Sequence, residues 1–105
     1  MVQSKEYILD AIREKLKEVA PGAKAILFGS KARGDDTVDS DWDILILVDK
    51  PKLAFDDFDN ISYPLMELGF PLGELISPKL YTVSDWQKRS FTPFYKNVEA
   101  EGIVL

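Results

Sequence analysis

The sequence predicts an α/β (α+β) fold, a small mixed β-sheet covered by helices, over one domain spanning residues 1–105. Two short apolar runs, Ala23–Phe28 and Asp43–Val48, are bounded by glycines and polar turns and read as buried strands. A helix-period segment precedes them, and helical and strand-like segments alternate afterwards. The length, 105 residues, fits one compact core and leaves no room for a second.

Ser4 is placed to cap a first helix reaching about Ala20, because Ile8, Ile12, Leu16 and Val19 recur at helical spacing. Its charged residues form a solvated face. Pro21-Gly22 ends it. After the first strand, Gly29-Ser30 leads into a short helical turn, Lys31-Ala32-Arg33, that stops at Gly34. Asp35–Ser40 reads as a polar loop. The next strand, DILILV, is apolar on both faces and therefore central.

Asp56 is expected to cap a further helix to about Leu68, with Phe58, Ile61, Leu65, Met66 and Leu68 facing inward and a kink or break at Pro64. Gly69–Gly73 reads as a turn, and Glu74–Thr82 as a third strand that Pro78 confines to an edge or a bulge. Ser84-Asp85 is expected to cap a short helix and Pro93 to interrupt the helical pattern after it. A last helix is expected from about Phe94 to Ala100.

Composition narrows the chemistry. Eighteen acidic against 13 basic side chains give a formal charge of −5, which argues against a broad electrostatic grip on nucleic acid. One nucleotide is still admissible, because a divalent ion reverses the field around a few carboxylates. There are no cysteines and no histidines, so disulfides, thiolate zinc sites and histidine-based nucleophile activation are excluded. Carboxylates, hydroxyls, lysine and arginine must carry any catalysis. Met1–Ser4 leads straight into the amphipathic segment with no signal-peptide core, and no apolar run reaches membrane-spanning length. The sequence reads as soluble and cytoplasmic, without a membrane partner.

The chemistry concentrates between the first two strands. Residues two apart in a strand share a face, so Asp41 and Asp43 aim their carboxylates at one spot while Trp42 points to the other side. Two anions so close repel, and a bound hard cation such as Mg²⁺ or Mn²⁺ removes that cost. Gly29 allows close backbone approach, and the amides opening at Ser30 suit phosphate oxygens. A phosphate cradle beside a carboxylate pair is the apparatus for in-line phosphoryl or nucleotidyl transfer assisted by two ions.

FGSKARG followed by SDWDILILV resembles the GS-x(10)-DxD signature of the DNA polymerase beta-like nucleotidyltransferases, and is most similar to the minimal nucleotidyltransferase (MNT) group. The resemblance implies the polymerase beta-like nucleotidyltransferase fold and metal-dependent transfer of a nucleoside monophosphate, AMP from ATP, to a hydroxyl. It implies metal binding by Asp41 and Asp43, and a third carboxylate from a later strand. Glu74 is the residue chosen for that place, as metal ligand and activator of the acceptor. Gly29, Ser30, Lys31 and Arg33 are the implied nucleotide contacts, and Arg33 holds the more regular position of the motif. MNT proteins pair with an HEPN protein in toxin–antitoxin modules, so a tyrosine of an HEPN partner is the implied acceptor. Two alternatives stay open: a stand-alone enzyme modifying a small hydroxylated molecule, and a catalytically weak module that masks its partner.

Overall fold

A computed structural model describes residues 4–105; Met1–Gln3, expected to lead directly into the first helix, lie outside the described residues. The elements run α1 (Lys5–Val19), β1 (Lys24–Phe28), α2 (Ser30–Arg33), β2 (Trp42–Val48), a π-helical turn (Phe58–Ser62), α3 (Tyr63–Leu72), β3 (Ile76–Thr82), α4 (Val83–Lys88), α5 (Pro93–Glu101) and β4 (Ile103–Val104). The strands form one mixed sheet in the order β3-β2-β1-β4. β2 is antiparallel to β1 and parallel to β3, and β4 adds to the free side of β1 in antiparallel sense.

Two apolar layers cover the sheet. On one face Ile8, Ile12 and Leu16 of α1 and Leu65 of α3 pack on Trp42, Ile44 and Ile46. On the other, Trp86 of α4 and Val98 of α5 pack on Ile26, Leu45 and Leu47. Both sides of β2 are thus buried, as its unbroken apolar run requires. Removing a side chain such as Ile44, which is fully buried, should cost about 2–5 kcal/mol.

Several boundaries differ from the sequence reading for identifiable reasons. Pro64 has no amide to donate, and the chain before it widens into a π-turn, with the Tyr63 amide donating to the Phe58 carbonyl. α3 then starts beside Pro64, which its first turn tolerates. Asp56 does not cap this segment. Asp57 precedes it instead, accepting from the Ala54 amide and ion-pairing with Lys50. Phe58 is exposed, not inward.

The predicted turn at Gly69–Gly73 is the end of α3, which runs through Pro71 and stops at Gly73 in the left-handed conformation. Gly69 sits so close to the Glu74 carbonyl that a Cβ would collide with it, and the Glu74 amide donates back to the Gly69 carbonyl. This tucked helix end decides where Glu74 points. Thr82, not Ser84-Asp85, caps α4, and Thr92 caps α5 with Pro93 opening its first turn. Pro78 does lie on an edge strand.

Candidate active site

The site forms where β1 ends and β2 begins. Gly29 follows β1 with φ at 76°, a left-handed conformation that L side chains rarely adopt. A Cβ there would collide with Oδ2 of Asp43 and stand 3.3 Å from its Cγ. Only glycine lets this backbone lie against that carboxylate. The Gly29 carbonyl accepts from the amides of Ala32 and Arg33, which winds the short helix α2 directly onto the loop.

Asp41 immediately precedes β2, and Asp43 lies within it, opposite Phe28 in β1 and Ser77 in β3. Burial and the neighbouring Asp41 charge push the Asp43 carboxyl above the usual carboxylate range, while Lys79 and Arg33 act from further away in the other direction. Neither aspartate forms an ion pair among the described residues. Two close carboxylates without a cation, against a glycine backbone, fit a hard divalent ion completed by phosphate oxygens.

The other residues singled out by sequence divide between two sides of the sheet. Ser30 opens α2 next to Gly29. Arg33 is half exposed and paired with Asp35 and Glu101, both at 3.2 Å, and both acids hold its guanidinium above its ordinary value. It remains within electrostatic range of Asp43.

Lys31 turns the other way. Its side chain is only 6% exposed, ion-pairs with Asp36 at 3.3 Å and lies 4.7 Å from the Trp42 ring centre. Asp36 in turn takes a 2.7 Å bond from Lys5 of α1, and that contact first, with Lys31 behind it, holds its carboxyl below the usual range. Lys31 is therefore held against Asp36 and Trp42 and does not point to solvent.

Glu74 also belongs to this second side. It precedes β3, and its Oε2 accepts from the Trp42 indole at 3.2 Å. Because Trp42 and Asp43 are adjacent in β2, they point to opposite faces. The structure thus separates Glu74 from Asp41 and Asp43, and among the described residues no three acidic, histidine or cysteine side chains are grouped to hold a metal ion. Glu74, expected as third metal ligand, has its carboxylate engaged by the Trp42 indole on the α1–α3 side of the sheet.

What the sequence reading missed lies on β3. Ile76 and Leu80 pack on the α1–α3 side, so Ser77, Lys79 and Tyr81 face the Asp43 side, where Tyr81 packs on the α4–α5 core. The alternation ISPKLYT contains that information, but only the pairing register puts Ser77 beside Asp43.

A mixed sheet carrying a glycine–serine loop against a two-aspartate strand entrance defines a nucleotide-transfer scaffold. The family described as the nucleotidyltransferase domain matches residues 9–100, and the chain belongs to that family. It is 39% identical over 82 residues to the Methanocaldococcus jannaschii protein named "Putative protein adenylyltransferase MJ0604", covering 78% of this chain and 76% of that one. Two solved structures share the fold. One is a toxin–antitoxin crystal structure with AMP-PNP (TM-score 0.61, 22% identity, 90% of this chain and 69% of that one). The other is the MntA–HpeT toxin–antitoxin in a form with two aspartates replaced by glutamate (TM-score 0.59, 20% identity, the same coverage).

Proposed function

We propose that this nucleotidyltransferase moves AMP from ATP to a hydroxyl on a protein acceptor, and that the acceptor is a tyrosine of an HEPN-type toxin which it restrains as antitoxin. The observation that carries the reading is the contact between Gly29 and Asp43, which joins a phosphate-compatible loop to a carboxylate pair in one site. In the transfer, the acceptor oxygen bonds to the α-phosphorus as the bond to pyrophosphate breaks and the acceptor proton leaves to solvent. Asp41 and Asp43 would hold Mg²⁺ or Mn²⁺, which supplies charge neutralisation at the phosphates. Gly29 and Ser30 present backbone to the nucleotide, and Arg33 stands at the edge to contact phosphate when its surface pairs exchange.

The protein acceptor is supported by the relative named as a protein adenylyltransferase and by the toxin–antitoxin assemblies that share the fold. The net charge of −5 favours a protein over a nucleic-acid acceptor. No helix among the described residues is long and apolar enough to cross a membrane.

The test is incubation with Mg²⁺ and α-labelled ATP, with and without the product of the neighbouring gene, beside an Asp41→Asn/Asp43→Asn double variant. Label on the partner from the natural chain alone is expected. Tight partner binding by both proteins without label from either would sink the enzymatic reading. It would favour instead a catalytically weak module that masks its partner, a second reading to which the serine beside Asp43 lends weight.

A further inference from the structure

Building on the proposed nucleotidyltransferase site, we infer that Ser77 and Lys79 of β3 complete it, so that it binds a single divalent ion with its nucleotide and uses Lys79 as a fixed cation toward the triphosphate. Ser77 is the Cα partner of Asp43 in the parallel β2–β3 ladder. A carboxylate intended to share a metal with Asp43 from the neighbouring strand would stand here, within about 5 Å of it along the hydrogen-bonding direction. A neutral hydroxyl stands there instead. It can donate or accept a hydrogen bond but adds no negative charge to attract a second ion.

Lys79 is two residues further along β3 and so emerges on the same face as Ser77. It is exposed and makes no ion pair among the described residues, unlike Lys5, Lys31 and Arg33. Its charge reaches Asp43. The site therefore has the Asp43 carboxylate from β2, the Asp41 carboxylate from the residue just before that strand, and an uncommitted ammonium from β3. One divalent ion balances the two carboxylates, and the ammonium is left for the polyphosphate. The grouping of three carboxylates that would recruit a second ion does not occur among the described residues.

Counting bound Mn²⁺ by electron paramagnetic resonance, in the presence of saturating α,β-methylene-ATP, tests the first half. The natural chain should hold one Mn²⁺ per bound nucleotide, and Ser77→Asp should hold two. Two ions in the natural chain, or one in both proteins, overturns the assignment. Because the natural chain's count needs no variant, poor folding of Ser77→Asp cannot rescue the idea. Calorimetric titration of the same analogue tests the second half. Lys79→Met should bind about tenfold more weakly with an unchanged ion count, and Lys79→Arg should recover most of the loss. Equal affinity in Lys79→Met overturns the role of Lys79. A natural chain that binds no analogue sinks the nucleotidyltransferase reading and this inference together, whereas tight binding with two ions sinks only the inference.

Discussion

Two clusters of charge lie back to back at the same end of the sheet, and they are built on opposite rules. On the α1–α3 side, Lys5, Lys31, Asp36, Trp42 and Glu74 satisfy one another: the acids have lysine or indole donors, and Lys31 lies over a ring. On the α4–α5 side, Asp41 and Asp43 repel each other, and among the described residues no cation pairs with them. A paired, partly buried cluster holds the fold, because charges drawn out of water must find partners. An unpaired one costs stability and persists where a ligand completes it.

Mutations should split the two clusters cleanly. The largest effect is expected at Asp43: Asp43→Asn should lower AMP transfer about 10²–10³-fold or more, since it removes the proposed ligand of a phosphate-bound ion. Its melting temperature should hold or rise, because the substitution relieves repulsion with Asp41. Thermal melts beside label transfer check both; a large fall in stability would show that Asp43 is structural after all.

Gly29→Ala should come next. Its Cβ meets the Asp43 carboxylate and its φ is unfavourable, so about 1–3 kcal/mol of stability should go, with a loss of nucleotide affinity. Denaturant melts and analogue titration measure the two separately.

On the other side, Lys31→Met should lower the melting temperature by a few degrees while changing nucleotide affinity little. A collapse of affinity in a stable Lys31→Met protein would return Lys31 to the cradle. Glu74→Gln, which keeps an acceptor for the Trp42 indole, should leave transfer within about threefold. A loss as large as that at Asp43 would break the separation of the two faces.

The smallest effect is a pH dependence. Contacts with Lys5 and then Lys31 depress the Asp36 carboxyl, and Lys50 with the Ala54 amide depresses that of Asp57. A carboxyl lowered on folding stabilises the protein above its unfolded value near about 4, and that contribution disappears as pH falls through the lower folded value. Urea midpoints should therefore drop below about pH 4, and less steeply in Asp36→Asn than in the natural chain.

Local pattern carried most of the secondary structure. Ile8, Ile12 and Leu16 marked α1 by period, and the apolar run from Ile44 to Val48 marked a central strand. Where the reading slipped, a longer-range contact had decided the matter. Gly69 looked like a turn residue because its propensity is that of a breaker, yet the helix continues past it, since its missing Cβ admits the Glu74 carbonyl. Ile103–Val104 carries too little pattern to announce a strand, and becomes one by pairing with β1. Lys31, next to a phosphate-compatible loop, was drawn to the opposite face by a buried acid and an indole that sequence spacing does not bring together.

By itself, then, the sequence determined the alternation of helices and strands, the glycine loop after β1, and the turning of Trp42 away from Asp43 within β2. All of these arise from periods and turn chemistry within a few residues. Only the tertiary structure decided what stands across from Asp43. The β2–β3 register is set by how α3 ends and packs, more than 20 residues along the chain from β2. A one-residue slip would have exchanged the faces of Ser77 and Ile76. That register puts a serine and a lysine beside the aspartates and leaves Glu74 behind the sheet.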